Sequence, residues 1–166
     1  MKPEFETAPA LHVSEWINAD KHITLADLRG RVVVLHAFQM LCPGCVSHGI
    51  PQAINIYNAF SRNDVVVLGL HTVFEHHAVM GPEALKVFMR EYRIPFPVGV
   101  DDAVSGSDIP MTMQAYGWRG TPSMVVIDRN GAVRLNHFGM LDDLRVGALL
   151  GQLVTEQASP PPAKSF

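Results

Sequence analysis

The stretch RVVVLHAFQMLCPGC, residues 31–45, decides the fold. Val32, Val33, Val34 and Leu35 leave no polar face, so Arg31 to Phe38 reads as a strand buried on both sides at the centre of a sheet. Its exit leads into Cys42-Pro43-Gly44-Cys45. Beyond the second cysteine, Val46, Ile50, Ile54 and Tyr57 recur at helical spacing, which predicts a helix from Pro43 to Phe60 with a kink at Pro51. A cysteine pair therefore opens a helix at the end of a central strand. Cys42 takes the cap and Pro43 the first helical position, where its missing N–H loses nothing. The N–H groups of Gly44 and Cys45 are then expected to face the Cys42 sulfur, and the positive end of the helix dipole favours a thiolate there.

Outward from this core, Val65 to His71 reads as a second buried strand. Gly81-Pro82-Glu83 opens a helix to about Tyr92, with Leu85, Phe88, Met89 and Tyr92 on one face. Ile94 to Val100 carries Pro95 and Pro97 and reads as a short edge strand, because proline cannot donate to a central ladder. Ser123 to Asp128 and Ala132 to Phe138 flank Arg129-Asn130-Gly131, a hairpin turn. Leu141 to Val154 reads as a closing helix. Residues 1–10 are expected to be a loose arm, 11–154 a single domain and 155–166, with SPPPAKSF, a disordered proline-rich tail. Strands alternating with helices point to a layered α/β fold.

The composition agrees with one globular domain. The chain has 166 residues, 48% hydrophobic and 17% charged, with a net charge of −3. A domain of this size buries roughly two-thirds of its unfolded surface and needs no staples, which leaves the two cysteines for chemistry. Thirteen Lys and Arg against sixteen Asp and Glu form no basic footprint, so nucleic-acid binding is not expected. No apolar run approaches the roughly 18 residues of a membrane span. The first twenty residues contain no apolar run of signal-peptide length, so the expected compartment is the cytoplasm, where a CxxC pair is catalytic or metal-binding more often than structural.

Three stretches, LADLRGRVVVLHAFQMLCPGC, PFPVGVDD and YGWRGTPSMVVIDRNGAV, together resemble the thioredoxin superfamily, and within it the TlpA/ResA-like and redoxin-like thiol-disulfide oxidoreductases. The resemblance spans roughly Ala10 to Val154. It implies a thioredoxin-like fold, a central mixed β-sheet flanked by helices, and exchange of disulfides with a protein partner and a cellular reductant or oxidant. Cys42 matches the exposed attacking cysteine and Cys45 the buried resolving one. Pro122, in Gly120-Thr121-Pro122, matches the proline whose cis bond faces the cysteines and lets the backbone of Thr121 pair with an extended substrate. Three positions depart from the family. Leu41 stands where Trp usually precedes the first cysteine, Pro43-Gly44 reverses the commoner order, and His36 replaces a buried Asp that moves a proton from the resolving thiol. His36 is then either such a relay or a strand histidine held by a backbone carbonyl.

Other readings compete. A metal site would need partners for the cysteines, with His48, His71, His76 and His77 the candidates by type; the reading here calls for no metal and no cofactor. A peroxiredoxin-like peroxidase would place Pro and Thr or Ser ahead of its cysteine, where this chain has Phe38-Gln39-Met40-Leu41. A non-catalytic binding module would use an apolar collar of Phe38, Met40, Leu41, Phe74 and Trp118, of which Leu41 and Trp118 are also the expected substrate contacts.

Overall fold

A computed structural model describes residues 5–158. β2 (Val32–Phe38) is buried along its whole length. Val32, Val34 and Phe38 enter one apolar layer and Val33, Leu35 and Ala37 the other, so strand alternation feeds two cores at once. β2 runs parallel to β3 (Val65–His71) and antiparallel to β5 (Ser123–Ile127). With β1 (Val13–Ile17), β4 (Val98–Asp101) and β6 (Val133–Phe138) they form a six-stranded mixed sheet of order β1-β4-β3-β2-β5-β6. α1 (Ile50–Ala59), α2 (Pro82–Glu91) and α4 (Asp143–Thr155) supply side chains to one layer. α3 (Met111–Tyr116) and a 3-10 turn at Ala26–Leu28 supply the other. Among the described residues no helix is long and apolar enough to cross a membrane.

Three expectations are corrected. The strand expected at Ile94–Val100 is not an edge strand, because β1 pairs antiparallel with β4 and takes the edge. Both prolines precede Val98, and Pro97 serves the ladder through its carbonyl, which accepts from the Gly69 N–H at 2.9 Å. The arm at residues 1–10 is docked over its described part. Ala8 N–H donates to the Gly131 carbonyl at 2.9 Å, Val133 N–H to the Glu6 carbonyl at 2.8 Å, and Phe5 lies 4.3 Å from the Arg134 guanidinium. The tail is tied at its start, where Arg134 meets Glu156 at 2.6 Å; the expectation for residues 159–166 lies outside the described residues.

The helix expected from Pro43 runs to Ala59, but its winding changes. Cys45–Gly49 is a π turn in which the Ile50 N–H reaches the Cys45 carbonyl, five residues back. Pro51 accounts for this: it has no N–H to donate, its ring would press on the carbonyl four residues earlier, and a widened turn relieves both. The π turn lays Gly49 on β2. A Cβ at Gly49 would come within 2.5 Å of His36 Cε1 and 3.1 Å of Pro122 Cβ.

The two central parallel strands each bury one imidazole, His36 and His71. Burial lowers both from 6.5 to about 4, with His48 adding to the effect at His36. Each ring is therefore neutral in the folded protein, while the unfolded chain takes up a proton near 6.5. Stability is full above that pH and falls as the pH drops toward 4, because the unfolded state then binds more protons.

Two outcomes follow. Urea denaturation should show stability falling between about pH 6.5 and pH 4, on the order of 3 kcal/mol for each ring, with a shallower slope in His36→Leu. Gly49→Ala, which in an open helix would stabilise, should instead cost about 1–3 kcal/mol. A double-mutant cycle with His36→Ala should recover much of that loss if the ring is the obstacle.

Candidate active site

The site forms where β2 ends. Cys42 caps the helix that follows, its carbonyl accepting from the N–H groups of Cys45 and Val46, both at 3.1 Å. The Cys45 N–H is thus spent on a carbonyl, so one of the two donors expected at the Cys42 sulfur is absent. The Cys42 Sγ instead donates to the Thr121 carbonyl at 3.4 Å, and the Thr121–Pro122 bond is cis. Gly44 lets the helix come close to that proline; a Cβ there would lie 3.3 Å from Pro122 Cδ. Reversing the dipeptide would put a ring at this approach.

The two cysteines, both free, sit in different surroundings. Cys42 is half-buried and Cys45 is fully buried. Burial pushes the Cys45 thiol up to about 12, the Cys42 sulfur pushes the same way, and the Gln39 backbone and the Thr121 hydroxyl oppose them. Cys45 is a thiol at neutral pH and can act as a nucleophile only if something takes its proton.

Two buried side chains tether the loop between β2 and Cys42. His71 Nε2 accepts from the Met40 N–H at 3.2 Å. Gln39 accepts from the Phe74 N–H at 3.1 Å through Oε1 and donates to Glu75 Oε1 at 3.4 Å. On the other side of the site, Gly139 N–H donates to the Pro122 carbonyl at 2.8 Å and the Phe138 ring lies against Gly120.

Of the residues singled out in the sequence, Leu41, Cys42, Pro43, Gly44, Cys45, Thr121 and Pro122 gather at this one end of the sheet. Leu41 is 59% exposed beside Cys42. His36 lies beneath the π turn, stacked on Phe38 with centroids 5.9 Å apart, and neither ring nitrogen has a hydrogen-bond partner among the described residues. The alternative of a ring held by a backbone carbonyl is therefore not the arrangement seen. Trp118 is corrected: it is buried, stacked on Tyr116 at 5.0 Å, with Nε1 donating to Asn136 Oδ1 at 3.1 Å. Phe38 and Met40 are likewise core, so the expected collar reduces at its centre to Leu41. The exposed aromatic beside the site is Phe138, 52% exposed, which sequence reasoning passed over as an ordinary strand residue.

The candidate metal ligands are dispersed. His48 Nε2 lies 3.1 Å from the Leu141 carbonyl and His77 Nε2 3.1 Å from the Asp108 carbonyl, while His71 serves Met40. Among the described residues no group of three or more His, Cys, Asp or Glu is placed to hold a metal ion.

Residues 3–136 match the model of the AhpC/TSA family. The solved structure of a protein described as belonging to the thioredoxin-like superfamily is 53% identical, with a TM-score of 0.90, covering 92% of this chain and 99% of that one. A thiol-disulfide isomerase from Corynebacterium glutamicum is 52% identical with a TM-score of 0.86, covering 90% of this chain and 98% of that one. Among curated proteins, the protein DipZ of Mycobacterium tuberculosis is 29% identical over 153 residues, 90% of this chain and 21% of DipZ, so the chain spans about a fifth of that relative. The family model spans most of the chain and the sheet with its cysteine-opened helix has the fold of these structures: the chain belongs to the AhpC/TSA family and is thioredoxin-like, similar to proteins named thiol-disulfide oxidoreductases and isomerases.

Proposed function

We propose that the protein exchanges disulfides with a protein partner through Cys42 and Cys45. The observation that carries this reading is the half-buried Cys42 sulfur facing the Thr121 carbonyl, with the buried Cys45 one helical turn behind it. In the reducing direction the Cys42 thiolate attacks one sulfur of a partner disulfide, the other partner sulfur leaves as a thiolate, and a mixed disulfide remains. Cys45 then loses its proton and attacks Cys42 Sγ, which releases the second partner sulfur. Two electrons pass to the partner and a Cys42–Cys45 disulfide forms. The oxidising direction reverses these steps. The backbone of Thr121, ahead of Pro122, offers an extended partner segment a strand to pair with, and Leu41 gives it apolar contact.

Resolution is the step that needs help, because the Cys45 thiol is pushed up to about 12. In this reading His36 is a positioning and proton-relay residue for that step. Its support is placement: a buried ring whose two nitrogens are unpartnered among the described residues lies under the π turn that begins at Cys45, at Gly49, where a Cβ would meet both this ring and Pro122. Burial holds the ring neutral, which leaves a lone pair free, and makes it a weak base, so its part is to relay the Cys45 proton onward and not to keep it.

Cys45→Ser should accumulate a partner as a mixed disulfide on Cys42, whereas Cys42→Ser should trap little; equal trapping by the two variants would reverse or remove the assigned roles. In stopped-flow measurements with a model disulfide, His36→Ala should slow resolution at least about tenfold while leaving formation of the mixed disulfide near the wild-type rate, and should shift the pH profile of resolution. If both steps keep their wild-type rates and profiles, His36 only packs.

A further inference from the structure

At the C-terminal ends of β3 and β4, one strand away from the cysteines, lies a cavity of about 240 Å³ that disulfide exchange does not use. Open α/β sheets take ligands at the carboxyl ends of their strands, and this cavity has features that select one. Val73, Met80, Val100 and Val104 give it apolar walls, and Asp101 and Asp108 add carboxylates. The Asp101 oxygens are already occupied by the N–H groups of Thr112 and Met113, at 2.8 and 3.0 Å, and by the Thr72 hydroxyl at 2.9 Å. Ser107 Oγ is engaged with the Ile109 backbone and His77 Nε2 lies 3.1 Å from the Asp108 carbonyl, while His71, 1% exposed, lines the cavity from the sheet.

The hydrogen bond of His71 to the loop sets its tautomer. Nε2 accepts from the Met40 N–H, so the proton of the neutral ring sits on Nδ1. The one hydrogen bond of the ring among the described residues is that at Nε2, which leaves the Nδ1–H free to donate to a ligand. We infer that the cavity binds a small neutral molecule carrying a carbonyl oxygen on a short apolar body, the oxygen accepting from His71 Nδ1–H. The apolar walls take the body, and the two carboxylates disfavour an anion with the same shape. A carbonyl on Nδ1–H also polarises the ring and strengthens its acceptance of the Met40 N–H, so occupancy is felt in the loop leading to Cys42.

The test is NMR titration of the full-length protein with isobutyramide and with isobutyrate, a pair of matched shape that differs in charge. Isobutyramide should produce saturable shifts at the His71 ring nitrogens and the Met40 amide, and isobutyrate should bind about tenfold more weakly or worse. Val104→Trp, which fills the cavity without removing the His71–Met40 bond, should abolish the isobutyramide shifts. His71→Phe should do the same and gives a second route if the tryptophan variant does not fold. No saturable shift in the wild type, isobutyrate binding as tightly as the amide, or binding undiminished in the folded variant would overturn the assignment.

Discussion

Burial of β2 on both faces and both edges is the constraint on which the rest of the molecule depends. A strand with apolar side chains in two layers, paired to β3 on one side and β5 on the other, has no freedom to shift. A slip of one residue would send Val33 and Leu35 into the layer shaped for Val32 and Val34. Where it ends is therefore defined, and Cys42 is delivered to one place at the sheet's end. The helix begins there because Pro43 cannot continue a strand ladder and can start a helix.

Precision at the sulfur comes from polar contacts that cross between elements. His71 and Gln39 hold the loop from the β3 side, and Gly139 holds the Pro122 carbonyl from the β6 side. The two sides meet where the Cys42 Sγ faces the Thr121 carbonyl. The His71–Met40 bond is buried and the others are partly so, which strengthens them and makes each costly to leave half-made. The two histidines divide this labour. One ring nitrogen of His71 secures the loop, while His36 has no partner at either nitrogen among the described residues and occupies the volume that Gly49 leaves open.

Proteins of the same fold and over half the same residues include one named a thiol-disulfide isomerase. The departures of this chain, Leu41 before the cysteine and Pro43-Gly44 between the pair, fall on the surface a partner would meet and on the approach to Pro122.

Much of the fold was legible because its signals are local and apolar. VVVL at 32–35 announces a buried strand, Asn130-Gly131 a hairpin, and Gly81-Pro82 a helix start, each by short-range sterics or hydrophobic pattern. The cysteine pair and Gly120-Thr121-Pro122 were likewise readable as a site, since each is a short motif. What the sequence could not determine depends on residues distant in the chain. β1 and α3 are too short to announce themselves and exist because Gly99 admits Val13 and Trp16 and because Asp101 meets Thr112. Trp118 looked available beside the motif and is buried, because Tyr116 and Asn136 claim its face and its N–H. The tether from His71 to Met40 joins residues 31 apart, and no local pattern encodes a bond between a strand's last side chain and a neighbouring loop's amide. Local sterics and apolar periodicity are properties of the sequence; the partners of buried polar groups are decided only when the chain closes.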